Sequence, residues 1–163
     1  MHQFKLFIYG MLRSDMTEHH LLTGKYDSKV SAKINAKLFT RLEDGIPYIT
    51  VPGKFIATRG SHDYTKDAAA LDKFPVQDGY APSESSDWVS GELYTISDYK
   101  QVMQIIDLFE DFSPGYESEY DRVMYPVQPE GAESFEMAWV YVIANNHAEE
   151  GDIFIDSGFY SPD

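Results

Sequence analysis

From Val30 to Leu38 the chain alternates: Val30, Ala32, Ile34, Ala36 and Leu38 fall on one face, and Ser31, Lys33, Asn35 and Lys37 on the other, until Phe39 breaks the pattern. Side chains repeat every two residues along a strand and every 3.6 along a helix, so the run predicts a strand with one buried face. Asp44-Gly45 then predicts a turn, and Ile46 to Val51 a shorter strand with Pro47 near its start. Together they predict a hairpin with a loop of several residues.

Other segments extend this strand-rich reading. Phe4 to Tyr9 is short, apolar and aromatic, and it predicts a buried strand entering a turn at Gly10. Asp15 to Leu22 predicts a short helix, with Asp15 as N-cap, Glu18 three residues on and Gly24 as its end. Trp88 to Ile96 predicts a strand, and Gly91 inside it a bulge or a close backbone approach. A helix capped by Ser97 or Asp98 is expected to run to about Phe112, before the Pro114-Gly115 break. Tyr120–Val127 and Glu136–Ala144 read as strands joined at Pro129-Glu130-Gly131, with a last apolar stretch at Ile153–Ile155. Residues 57–87 lack periodicity apart from a short helix at Asp67–Phe74, and are expected to be a surface excursion rather than a second domain. The expectation is one domain over residues 1–163, of class α+β: a small mixed, largely antiparallel β-barrel or twisted sheet of about six strands, with two or three helices.

Composition narrows the function. There is no cysteine, which removes disulfide scaffolds, thiolate metal sites and cysteine nucleophiles. The formal net charge is −14 and the basic residues are scattered, so no nucleic-acid partner is expected. The first residues carry no basic segment followed by an apolar one, and no apolar run reaches the ~20 residues of a membrane helix. A cytoplasmic location is the default expectation, with no membrane partner. No phosphate-binding loop, dinucleotide fingerprint, nucleophile elbow or EF-hand spacing occurs. His19-His20 and His62 read as surface residues.

The helix after Asp98 is the informative segment. At about 100° per residue, Glu110 falls about 80° from Val102, between Tyr99 and Met103 on the apolar arc. By the same count Asp107 falls on the rim at about 140°, and Asp111 on the polar face at about 180°. A carboxyl group in an apolar setting is pushed toward neutrality and can work as a general base. The other reading leaves Glu110 at a frayed helix end, reaching solvent or pairing with Arg122. The Tyr9-Gly10-Met11-Leu12 turn is a second candidate, since N–H groups after a buried strand can hold a carboxylate or an oxyanion.

Five segments, in order, resemble the gamma-glutamylcyclotransferase-like family. They are Phe7-Ile8-Tyr9-Gly10-Met11-Leu12, Trp88-Val89-Ser90-Gly91-Glu92-Leu93-Tyr94, Ile106-Asp107-Leu108-Phe109-Glu110, Tyr120-Asp121-Arg122-Val123 and Ala138-Trp139-Val140-Tyr141-Val142. The resemblance implies a small mixed barrel flanked by helices. It implies an enzyme that releases 5-oxoproline and a free amine from a small gamma-glutamyl amine or peptide, with no metal or organic cofactor. In that reading Glu110 is the acid/base, and Tyr9, Gly10, Met11 and Leu12 bind substrate, with Tyr120, Arg122 and Tyr141 as further contacts. Two residues depart from the pattern: Met11 stands where a Thr or Ser is usual, and Asp111 where a Gly is common. A non-catalytic binding or interaction module on the same fold is the alternative.

Overall fold

The structure, a computed structural model, describes residues 2–82 and 87–162, so positions 83–86 of the expected excursion lie outside it. Five strands close a barrel in the order β1-β5-β2-β6-β7, formed by Phe4–Ile8 (β1), Ser28–Asn35 (β2), Trp88–Ile96 (β5), Tyr120–Pro129 (β6) and Glu136–Ile143 (β7). All neighbours are antiparallel except β1 and β7, which run parallel and close the barrel at Leu6 opposite Trp139. Lys37–Thr40 (β3), Pro47–Thr50 (β4) and Ile153–Phe154 (β8) form a second sheet in the order β4-β3-β8. Two helices flank these sheets, Tyr64–Lys73 (α1) and Tyr99–Phe109 (α2). This is the mixed, largely antiparallel barrel of an α+β chain, with eight strands among the described residues rather than six.

The alternating run from Val30 divides at Ala36. Its amide donates to the Asp87 carbonyl at 3.1 Å, and the Asn35 side chain donates to the same oxygen at 3.0 Å. That clamp carries the chain from the barrel into the second sheet. The apolar face stays buried from Ala32 through Leu38, but Val30, at the barrel rim, is exposed. The hairpin with β4 forms as expected, Lys37 opposite Thr50. Gly91 is a close approach: a Cβ there would lie 2.2 Å from the Ile8 carbonyl oxygen, so only glycine lets β5 cross the end of β1.

Three expectations need correction. Residues Thr17–Leu21 form a 3-10 turn, and Asp15 does not cap it; its carboxylate accepts from the Arg13 guanidinium at 2.9 Å twice instead. The helix α2 ends at Phe109, with Glu110 as its C-cap and Asp111 in the left-handed region at φ 49°. Residues 57–73 of the expected excursion do not merely cross the surface. Ala57 and Gly60 donate to the Met124 and Arg122 carbonyls of β6, and α1 is capped by Asp63 and buries Asp67, Ala68 and Ala70. The small alanine side chains let that helix sit close to the barrel, and the indole N–H of Trp139 donates to the Asp67 carbonyl at 3.1 Å.

Candidate active site

The end of β1 turns tightly, the Arg13 amide donating to the Gly10 carbonyl at 3.1 Å. A Cβ at Gly10 would lie 3.0 Å from the Pro47 ring, so the absence of a side chain lets the turn rest on β4. Two more carbonyls of the turn are occupied: Tyr9 by the Arg13 guanidinium at 3.3 Å, and Leu12 by His19 Nδ1 at 2.9 Å. The N–H groups of Gly10, Met11 and Leu12 have no protein acceptor among the described residues. Glu92, from the Gly-Glu-Leu-Tyr segment, anchors the far side of the turn by accepting from the Ser14 amide at 2.7 Å and from the Tyr94 hydroxyl at 2.8 Å. Burial pushes its carboxyl upward, but the Ser14 and Tyr94 hydrogen bonds and the Lys29 charge together outweigh this and hold it below the usual value.

These turn residues line a cavity of about 270 Å³, bounded also by Glu110, Arg41, Pro47, Tyr120 and Tyr141. It lies where the ends of β1, β3 and α2 meet the starts of β4 and β6, with β7 as its floor. Such a volume suits part of a small molecule rather than a polymer. A wider cleft of about 910 Å³ adjoins it and shares Arg41 and Glu119. The smaller cavity is the candidate site, because it brings the unpartnered turn amides and Glu110 together.

Glu110 is half-buried at the end of α2, and its carboxyl is pushed up to about 8 by burial first and by the charge of Asp107 second. No hydrogen bond offsets that cost. The expected alternative, pairing with Arg122, is not made. Arg122 is fully buried and outside the cavity lining, and it donates to Asp107 through Nε and a terminal nitrogen at 2.9 and 3.0 Å. It also donates to Asp67 at 3.0 Å and to the Ser61 carbonyl at 3.0 Å. Four of its five N–H groups are thus bound to Asp107, Asp67 and Ser61, and the structure does not bring Arg122 to the cavity.

Tyr9, Tyr120 and Tyr141 are all buried in the cavity wall. The Tyr9 hydroxyl donates to the Tyr141 carbonyl at 2.8 Å, Tyr120 to the Pro47 carbonyl at 2.7 Å, and Tyr141 to Asp107. Burial holds all three phenols protonated well above their ordinary value. Sequence reasoning missed Asp107, Arg41 and Asp67. Asp107 lay inside a quoted motif, but its helical phase put it on the rim, whereas it is 4% exposed. Arg41, at the end of β3, ion-pairs with Glu119, and nothing in its local sequence marks it. Among the described residues no group of three or more His, Asp and Glu side chains is arranged to hold a metal ion. No helix among them is long and apolar enough to cross a membrane.

A family model described as gamma-glutamyl cyclotransferase, AIG2-like, matches residues 59–162. The chain belongs to the gamma-glutamyl cyclotransferase, AIG2-like family. The matched residues of this AIG2-like chain include α1, Glu110 and β6, and leave the Tyr9–Leu12 turn outside. Solved structures share the fold. An AIG2-like protein from Mus musculus is 19% identical with a TM-score of 0.55, over 92% of this chain and 82% of that one. YkqA from Bacillus subtilis is 18% identical with a TM-score of 0.54, over 97% of this chain, which spans only 39% of YkqA. An Arabidopsis thaliana protein is 17% identical with a TM-score of 0.54, over 92% of this chain and 74% of that one. No curated protein sequence matches the chain.

The geometry of Glu110 has a consequence for stability. Its folded value near 8 stands above the ordinary 4.5, so its contribution is fully present below pH 4.5 and is lost as pH rises through 8. Glu110→Gln removes that loss. A rise from 4.5 to about 8 would amount to about 4 kcal/mol at pH 8 for a fully buried group, and partial exposure of Glu110 screens it to roughly half, so the variant is expected to be more stable than wild type by about 2 kcal/mol at pH 8 and to differ little at pH 4. Urea denaturation of both proteins at the two pH values reads this directly.

Proposed function

We propose that this chain is a gamma-glutamylcyclotransferase-type enzyme, releasing 5-oxoproline and a free amine from a gamma-glutamyl amine or peptide by intramolecular cyclisation. One observation carries the reading: a carboxyl group near 8, without a hydrogen bond, shares a small cavity with a turn whose N–H groups have no acceptor. Family membership supports the same class of chemistry.

The reaction needs little beyond alignment and proton handling, because nucleophile and electrophile belong to one molecule. Ionised Glu110 takes a proton from the substrate α-ammonium. The freed amine attacks the γ-carbonyl carbon, forming the new C–N bond, and the carbonyl π electrons move to oxygen. The turn N–H groups are the donors available to that oxyanion or to the substrate carboxylate. Protonated Glu110 then gives its proton to the leaving nitrogen as the old C–N bond breaks, and the second proton that the attacking nitrogen must shed to become the ring N–H passes through the same carboxylate to the departing amine, which leaves as an ammonium ion. Net, one amide bond is exchanged for another and no water is consumed. The apolar thioether of Met11, in place of a hydroxyl, leaves backbone donors as the holders of the substrate at that position.

The test is incubation of the wild-type protein with a panel of gamma-glutamyl dipeptides and gamma-glutamyl amines, assayed for 5-oxoproline by mass. Product with at least one member, with kcat/KM rising toward a limb near pH 8, is the expected result. Saturable binding across the panel without product would overturn the enzyme reading in favour of a binding module.

A further inference from the structure

Outside the cavity lining, one turn before Glu110, lies the most heavily hydrogen-bonded charge cluster among the described residues. Asp107 sits one turn earlier on α2 and is 4% exposed. Its two oxygens accept from Arg122 Nε at 2.9 Å, from an Arg122 terminal nitrogen at 3.0 Å, from the Tyr64 hydroxyl at 2.9 Å and from the Tyr141 hydroxyl. Arg122 in turn holds Asp67, which also accepts from the Ser61 amide and hydroxyl at 2.8 Å each. Every partner of the two carboxyl groups is a donor, the arrangement of ionised carboxylates. Two carboxylates therefore share one guanidinium, which leaves the cluster with one negative charge in excess, and Asp107 is its member on α2.

Asp107 is also the root of a chain of bonds into the cavity. It holds the hydroxyl of Tyr141, whose ring lines the cavity, and the Tyr141 carbonyl takes the Tyr9 hydroxyl at 2.8 Å. The helix that ends in Glu110 and the strand that ends in the Tyr9 turn are thus tied through β7.

We propose that Asp107 is the positioning residue of this site: anchored by Arg122 and Asp67, it fixes Tyr141 and through it the Tyr9 turn, and it keeps a buried negative charge beside Glu110. The role in turnover rests on the cyclotransferase reading; the electrostatic part does not. The upward push that Asp107 gives Glu110 agrees with the geometry. Other charged or titratable groups around the cavity are Tyr9 after β1, Arg41 after β3, Glu119 and Tyr120 at the start of β6, Tyr141 on β7, and Asp111 next in the chain. Their contributions are common to all variants compared below.

The experiment follows the Glu110 carboxyl by 13C NMR in the ligand-free protein, with Glu110→Gln to assign the signal, in wild type, Asp107→Asn, Asp67→Asn and Tyr64→Phe. In Asp107→Asn the Glu110 midpoint is expected to fall by about one unit, because the adjacent charge is gone while the shape is kept. Asp67→Asn, altering the far end of the network, should move it much less. Tyr64→Phe leaves the Asp107 charge less well neutralised, so its midpoint should rise; this variant tests the idea even if Asp107→Asn does not fold. The acidic limb of kcat/KM should move with each midpoint. An unmoved midpoint in folded Asp107→Asn, an equal fall in Asp67→Asn, or a fall in Tyr64→Phe would overturn the proposal. Absence of turnover in wild type would count against the cyclotransferase reading alone, since the titration is read without substrate.

Discussion

Glu110→Gln is expected to lower kcat/KM for 5-oxoproline release by about 10³-fold, since general acid–base transfer contributes roughly 10²–10⁴ and both proton steps run through this one group. The amide cannot take the proton from the substrate ammonium, and it cannot return one to the leaving nitrogen. Binding should change far less, because the turn amides and the tyrosine wall are untouched. The expected signature is a collapsed kcat with a dissociation constant for intact substrate within a few-fold of wild type, measured by calorimetry. The same substitution stabilises the fold at alkaline pH, as argued above, so a loss of activity cannot be laid to unfolding. Equal product from the variant and from wild type would remove Glu110 from the mechanism.

The largest structural effect is expected at Arg122. Among the described residues the guanidinium is the one cation that pairs with Asp67 and Asp107, and its central carbon lies 5.0 Å from the centre of the Trp139 ring and 5.1 Å from that of Phe112. Gly60 completes the box, since a Cβ there would fall 2.7 Å from a guanidinium nitrogen. Arg122→Met keeps much of the volume but leaves two buried carboxylates without a counter-charge, at a cost of about 3–5 kcal/mol. The triple variant Asp67→Asn, Arg122→Met, Asp107→Asn should recover a large part of that loss, because no unpaired charge then remains inside. Denaturant midpoints of the two variants against wild type measure both effects. If the triple variant were no more stable than the single one, packing around the guanidinium, not its charge, would be what holds this region.

Local pattern was enough for the barrel strands. Period-two alternation and the turn residues located β5, β6, β7 and the β3–β4 hairpin, and Gly91 announced the crossing of β1 by β5. What failed was anything decided by a partner far along the chain. The division of the Val30 run depends on the Asp87 carbonyl, fifty residues away in sequence. Asp15 lost its capping role to Arg13, a competitor that a cap pattern does not weigh. The fully buried residues of α1 are two alanines and a carboxylate, Asp67, Ala68 and Ala70, which do not stand out as a hydrophobic face. At the site, helical phase singled out Glu110, but it put Asp107 at the rim because phase assumes that buried means apolar. A carboxylate can be buried when a guanidinium from another strand meets it, and Arg122 gave no local sign of doing so.

The parallel contact of Leu6 with Trp139 has a consequence for how the protein is made. The strand β1 has its partners in β5 and β7, so it leaves the ribosome long before either exists. Until then Phe4–Ile8 is an apolar segment with both edges open, the kind of template on which wrong pairings form. Closing so distant a contact is also intrinsically slow. The carbonyl that receives the Tyr9 hydroxyl belongs to Tyr141, so the turn is synthesised first and its support almost last. The cavity can therefore be completed only once Tyr141 has been synthesised.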